Sequence, residues 1–341
     1  MDPLRKLLGD RHAFRDDHGV GGETREHIPF LIHDAMVMVL RDFSDSQPHI
    51  AHTPHIMRLV FLLCPVTCSH RSSRSRSQSR DGNRTRTPCP DSMPRDARQP
   101  AFDHVVVPGR YAVAAIVWLH GFGDGPEGWA DEFRGLHAQY SSARFVYLRA
   151  PRLPQTCYRG ALVTSWGDYH DEECTRKGTL DYDNQNIVSE AVLAEAHAVM
   201  DEIVDSGLPA SSIVVGGFSM GATAAAEVAL RYSRGPIGGL VMLNGWLLPR
   251  ARAALAAGPL PRRVLVSHGS ADEQVGFDIG SEAADMLRRA GVNVSFKVQE
   301  GMAHVASAFG PGKGLAISFL SAAIEEAVAA AAVPPAPIPA R

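Results

Sequence analysis

The stretch that decides the fold is Ser211-Ser-Ile-Val-Val-Gly-Gly-Phe-Ser-Met-Gly-Ala222. Residues 213–215 form a short run of β-branched apolar side chains, suited to a strand covered on both faces of a parallel sheet. Gly217-Phe-Ser-Met-Gly221 then fits the pattern G-x-S-x-G, and alanines at 222, 224, 225 and 226 favour a helix. A strand, a tight turn carrying serine, and a helix are the context in which this pattern becomes a nucleophile elbow. Glycine is required on both sides of the serine because any side chain there crowds the turn. Read alone, the five residues also fit a serine that merely caps a helix. The rest of the chain weighs against that reading.

From about residue 101 onward, strand and helix signals alternate. A strand over 112–119 ends in His120-Gly-Phe-Gly-Asp-Gly125, and a helix over 126–137 and a strand over 144–148 follow. Residues 152–183 read as irregular and contain Ser165-Trp-Gly-Asp168; a loop this long inside a domain marks a lid or a pocket wall. A helix over 186–206 is stopped by Gly207-Leu-Pro209. Strands over 239–243 and 263–267, a helix over 281–290, a strand over 292–298 and a helix over 315–329 complete the series. This alternation predicts an α/β fold with a mostly parallel central sheet flanked by helices, spanning 101–330.

In sheets that carry such an elbow, an acid and then a histidine follow the serine in chain order, each on a loop at the carboxyl edge. Only His268 and His304 remain after Ser219. Asp272 lies just past the predicted strand 263–267, and His304 sits in the turn that follows 292–298. His268 precedes Asp272 at the end of its own strand and fails as the base. The expected roles are Ser219 as nucleophile, His304 as general base and then acid, and Asp272 as the group that orients and stabilises the imidazolium. As plain structure, Asp272 would be a turn residue and His304 a cap. Acyl transfer also needs donors aimed at the developing oxyanion. The backbone N–H groups of Met220, next after the serine, and of Phe122, between two glycines, are the candidates. His120 suits packing and hydrogen bonding beside those glycines. Trp166 either lines an acyl pocket or belongs to the core.

Residues 101–330 resemble the acyl-protein thioesterase / lysophospholipase branch of the α/β-hydrolases, the phospholipase/carboxylesterase family. The resemblance rests on five motifs in order: Trp118-Leu-His-Gly-Phe-Gly-Asp124; Ala150-Pro151 with Ser165-Trp-Gly-Asp168; Ser206-Gly-Leu-Pro209 leading to Gly216-Gly-Phe-Ser-Met-Gly221; His268-Gly-Ser-Ala-Asp272; and Glu300-Gly-Met-Ala-His304. It implies an α/β-hydrolase fold and a cytoplasmic serine hydrolase without cofactor or metal. That enzyme would cleave long-chain acyl groups from S-acylated proteins or lysophospholipids. It also carries Ser219, Asp272 and His304 over as the triad, in agreement with the order argument. Three positions depart from the family: Met220 stands where Gln is usual, Gly167 where the motif has Phe, and Tyr158 where Asn is usual. The first change keeps the backbone N–H; the other two fall in the presumed pocket wall and bear on acyl-chain preference. The rival readings are a general short-chain carboxylesterase, its lid reshaped around Gly167, and a non-catalytic binding protein on the same fold. Three intact triad positions argue against the second.

Over 341 residues the net charge is −3, with 45% hydrophobic and 21% charged side chains, so no global charge points to nucleic acid or a membrane surface. Five cysteines form no regular framework, which points to free thiols in a reducing compartment. Cys64-x-x-x-Cys68-Ser-His70 has no second ligand pair. The early apolar run 59–64 is far short of the roughly 20 residues of a membrane span, so membrane association is at most peripheral. The segment from Met57 resembles the start of a signal peptide but is internal, and the terminus Met-Asp-Pro-Leu-Arg-Lys has no apolar core. Homodimerisation stays open.

Residues 1–100 read differently. Nine of fifteen histidines lie at or before His104, and 71–80 is an Arg/Ser tract too polar to bury a core. Disorder is expected, whether as an RNA- or protein-binding tail, a solvated leader or a mistaken upstream extension of the reading frame. The tail reading is the weaker, since no folded nucleic-acid module accompanies it. Residues 30–40 form a lone apolar segment, and 331–341 is Pro-rich and expected to be extended.

Overall fold

The computed structural model describes residues 104–332. The expectations for 1–100, including the Arg/Ser tract and Cys64-x-x-x-Cys68-Ser-His70, and for the Pro-rich end lie outside those residues.

The described chain runs β1 (Val105–Val107), β2 (Ala114–Leu119), α1 (Pro126–Glu132), α2 (Arg134–Gln139), β3 (Ala143–Leu148), β4 (Arg152–Gln155), β5 (Ala161–Thr164) and α3 (Glu190–Asp205). It continues with β6 (Ile213–Phe218), α4 (Met220–Leu230), β7 (Gly239–Leu243), α5 (Pro249–Ala254), β8 (Arg263–Gly269), α6 (Phe277–Arg289), β9 (Asn293–Gln299), α7 (His304–Ser307) and α8 (Lys313–Ala331). The main sheet has the order β1-β3-β2-β6-β7-β8-β9, parallel throughout except for β1, which pairs antiparallel with β3.

Every residue of β2, β6 and β7 is buried, which is why these strands read as continuous apolar runs. Alternate side chains feed two cores. Val117, Leu119, Val215 and Val266 pack with α3, α4 and α6 on one face. Ile116, Trp118, Val214 and Leu265 pack with α1, α2 and α8 on the other. The helical run His304–Ala331 has the length and apolarity of a membrane span. Its Ala316, Leu320 and Ile324 nevertheless pack against the sheet, so α8 serves as a core helix.

The strand order reverses at β2: the chain steps outward to β3, then crosses back to β6 on the other side. Loops leaving the carboxyl ends of β2 and β6 therefore face each other across a switch point, where open α/β sheets form their crevice.

Several predicted elements differ. The helix expected over 126–137 is two helices, because Phe133 leaves helical geometry (φ −98°, ψ 11°) while its buried ring packs edge-on against Trp118. The helix expected from 281 begins at Phe277. A Cβ on Gly280, inside its first turn, would overlap the His268 ring, so the glycine serves close packing. The segment 152–183, expected to be irregular, carries the antiparallel hairpin β4–β5 and the short 3-10 turn Leu180–Tyr182. The helix expected from 186 starts at Glu190, where the Ser189 hydroxyl accepts the Val192 N–H.

Candidate active site

Ser219 stands between β6 and α4 with φ 57° and ψ −126°, a left-handed backbone that side chains rarely adopt. Such a residue costs about 1–3 kcal/mol, and surrounding structure must hold it. Its N–H donates to Leu243 O at 2.8 Å, and its carbonyl accepts the Ala222 N–H at 2.9 Å, opening the helix. All eleven residues of α4 are buried, which fixes the helix behind the turn. The two motif glycines are steric necessities. A Cβ on Gly221 would overlap the carbonyl oxygens of Leu119 and His120, and one on Gly217 would overlap those of Gly221 and Leu119.

His304 opens α7 directly beyond the turn after β9, and its Nε2 lies 2.8 Å from Ser219 Oγ. Its Nδ1 lies 2.6 Å from Asp272 Oδ2. A carboxylate only accepts, so Nδ1 carries the proton and Nε2 accepts the serine hydroxyl. The tertiary fold thus joins Ser219, His304 and Asp272 in one hydrogen-bonded chain, although 85 residues separate the first two.

Asp272 receives five donors. Oδ1 accepts the N–H groups of Gln274 and Val275, each at 2.9 Å. Oδ2 accepts from His304, from Asn244 Nδ2 at 2.7 Å and, more distantly, from His268 Nε2 at 3.2 Å. Burial works to raise the carboxyl pKa. The hydrogen bonds from His268, His304 and Asn244 outweigh it and hold the group well below the ordinary carboxylate range. His268 does not reach the serine: its one Nε2–H points to Val275 O at 2.9 Å and is shared with Asp272 Oδ2, so it braces the acid loop.

Phe122 and Met220 lie on the two loops that meet at the switch point. Neither N–H has an acceptor among the described residues, as oxyanion donors require. The loop after β2 is pinned from three sides. Gly123 N–H donates to Thr164 O of the hairpin at 2.8 Å. The Trp166 indole N–H donates to His120 O at 2.8 Å. His120 Nδ1–H donates to Gly121 O at 2.8 Å while Nε2 accepts the Ala150 N–H at 3.1 Å. This pattern uses the neutral imidazole, and burial pushes the His120 pKa down to about 4.

Trp166 is 2% exposed and belongs to the core cluster behind the loop, so its observed part is to support that loop. The three family departures have distinct surroundings. Met220 Sδ lies 3.3 Å from the buried Ser165 hydroxyl. Gly167 has no room for a side chain, since a Cβ would overlap the carbonyl oxygen of Asn186. Tyr158 stacks at a tilt on Phe122, centroids 6.1 Å apart, and Tyr169 meets Phe122 edge-on at 5.1 Å.

Asn244, Ser307 and the contact of His268 with Asp272 escaped the reading of the sequence. Asn244 had one signal available: it is the first residue past β7, at the carboxyl edge where the other site loops lie.

The fold and the hydrogen-bonded serine, histidine and aspartate define an α/β-hydrolase. Residues 101–309 match the phospholipase/carboxylesterase family. The chain is 31% identical to carboxylesterase SOBER1 of Arabidopsis thaliana over 193 residues, covering 55% of this chain and 82% of that protein. A crystal structure of SOBER1 matches with a TM-score of 0.53 at 26% identity, covering 63% of this chain and 99% of that one. Acyl-protein thioesterase 1 of Neurospora crassa is 29% identical over 205 residues, 57% of this chain and 80% of that protein. A rice protein described as a probable inactive carboxylesterase is 30% identical over 195 residues, 55% of this chain and 77% of that protein. The chain belongs to the phospholipase/carboxylesterase family, and it is a serine hydrolase.

Proposed function

We propose that the protein cleaves long-chain acyl thioesters and esters through an acyl-enzyme on Ser219. The observation that carries this reading is the relay from Ser219 Oγ through His304 to Asp272, at 2.8 and 2.6 Å. His304 Nε2 takes the serine proton as Oγ bonds to the substrate carbonyl carbon. The carbonyl oxygen, now negative, is held by the N–H groups of Phe122 and Met220. As the tetrahedral centre collapses, the carbon–sulfur or carbon–oxygen bond breaks, and His304 gives its proton to the departing thiol or alcohol. A water molecule then repeats the sequence, with His304 as its base, and releases the carboxylic acid. Asp272 stays ionised throughout and stabilises the imidazolium.

The resemblance to acyl-protein thioesterases supports S-acylated proteins as substrates, with lysophospholipids as the oxyester counterpart and no cofactor in the cycle. Cytoplasmic residence is part of the same proposal, in keeping with the free thiols Cys157 and Cys174. One observation favours a short-chain carboxylesterase instead: Tyr158 and Tyr169 crowd Phe122 beside the oxyanion loop.

The test is hydrolysis by the full chain of an acyl series from C2 to C16, as oxyesters and as thioesters, with Ser219→Ala as control. Rising turnover toward long thioesters supports protein deacylation. A maximum at short oxyesters replaces it with the carboxylesterase reading. No turnover in either series, with the protein folded, moves it to a binding role.

A further inference from the structure

Asn244 does more than end a strand. It has φ 54°, a left-handed conformation that asparagine tolerates better than most residues. It is 1% exposed, and both ends of its amide are engaged. Nδ2 donates to Asp272 Oδ2 at 2.7 Å, the same oxygen that accepts the His304 Nδ1 proton. Oδ1 accepts the Ser307 hydroxyl at 2.9 Å, and Ser307 is the last residue of α7, the helix that His304 begins. Ser307 Oγ also lies 3.1 Å from His304 O, so the anchor sits on the turn of chain that presents the histidine. The Asn244 N–H donates to Ser267 O at 2.9 Å, fixing its backbone to the end of β8.

We propose that Asn244 is a positioning residue that ties the Asp272 carboxylate to the helix carrying His304. The inference rests on the reading of Ser219, His304 and Asp272 as the reacting groups. One rigid amide sets the spacing between the acid and the base's helix, so neither can drift without breaking a buried hydrogen bond. It also shares the carboxylate oxygen with the imidazole. A carboxylate that gives part of its accepting capacity to Asn244 holds the His304 proton less strongly, which leaves the imidazole free to act as a base at lower pH.

The other titratable groups facing this pair are Glu273, whose carboxylate accepts the His304 N–H at 3.2 Å, and His268 on Asp272. Tyr169 and Cys174 also feel the charge of Asp272. Neither Asn244→Gly nor Ser307→Ala alters any of these four side chains.

The experiment compares the full-length wild type with Asn244→Gly, Ser307→Ala and Ser219→Ala. Glycine accepts the left-handed backbone and removes only the amide. Two readouts are taken: the pH profile of kcat/KM on a C8 thioester, and the low-field proton resonance of His304 Nδ1–H, which needs no turnover. For Asn244→Gly, the acidic limb moves to higher pH by about half to one unit, and kcat at the optimum falls roughly tenfold. The pH midpoint at which that resonance changes position moves up correspondingly. Ser307→Ala moves the limb in the same direction by less. If Ser219→Ala is inactive while Asn244→Gly leaves both the limb and the resonance unmoved, Asn244 is only a strand terminator and the proposal falls. If Ser219→Ala keeps its activity, the underlying assignment of the nucleophile is what has failed. Should Asn244→Gly misfold, Ser307→Ala decides by itself: a limb moved to higher pH upholds the proposal, and an unmoved limb overturns it.

Discussion

The two edges of the central sheet are built from the same strands and could hardly differ more. At the carboxyl edge, β2, β6, β7 and β8 run out into His120, Ser219, Asn244 and His268, all buried polar side chains that each make at least one hydrogen bond. At the amino edge, several strands enter through Ala114, Ala143 and Gly239, and the charged groups Arg263 and Glu326 pair at the surface. A groove of about 450 Å³ lies there, lined by Ala112, Gly207, Pro209, Gly238 and Ala327 among others. In a parallel sheet every strand delivers its carboxyl end to one side, so residues far apart in sequence meet only there. Two of the three non-glycine left-handed residues of the described chain, Ser219 and Asn244, are at that edge. The third, Arg159, lies in the turn of the β4–β5 hairpin, which bonds to the loop after β2 through Thr164 O.

The largest effect that would test this contrast comes from the relay itself. Ser219→Ala and His304→Ala should each lower kcat by at least about a thousandfold with unchanged far-ultraviolet circular dichroism. A variant that keeps a tenth of the activity breaks the assignment. Next comes the elbow: Gly221→Ala forces a side chain onto the carbonyl oxygens of Leu119 and His120 and should cost about 3 kcal/mol or more in urea unfolding. A stable, active Gly221→Ala would mean the turn can relax.

His120 gives a pH dependence. Its folded pKa of about 4 lies below the ordinary 6.5, because burial disfavours the charged ring. The unfolded chain therefore takes the proton first. The contribution is full above about pH 6.5, is lost as pH falls toward 4, and amounts to up to about 3 kcal/mol. Melting temperatures at pH 7 and pH 5 should diverge in the wild type and converge in His120→Asn. Equal divergence in both would move the acid sensitivity to other groups. The smallest effect belongs to the amino edge: Arg262→Ala, on the groove, should change stability by less than about 0.5 kcal/mol and leave turnover intact. A large loss of turnover there would break the contrast between the edges.

The alternation of elements, the elbow and the order of serine, acid and histidine were all legible along the chain. Those features are local: runs of buried residues, glycines that only a tight turn needs, and side chains placed just past strand ends. The sequence also offered Phe122 and Met220 as candidate backbone donors, because such a donor needs only a position in the chain. What lies between the motifs depends on how the chain packs in three dimensions. The break at Phe133 follows from a ring packed on Trp118, and the early start of α6 at Phe277 depends on Gly280 fitting beneath His268. Trp166 acts through a bond to His120 O, and Asn244 joins Asp272 to Ser307 across 28 and 63 residues of chain. Such contacts have no period and no spacing to read in advance. They exist because folding brings distant strand ends to one edge, where most buried polar atoms find partners from other strands.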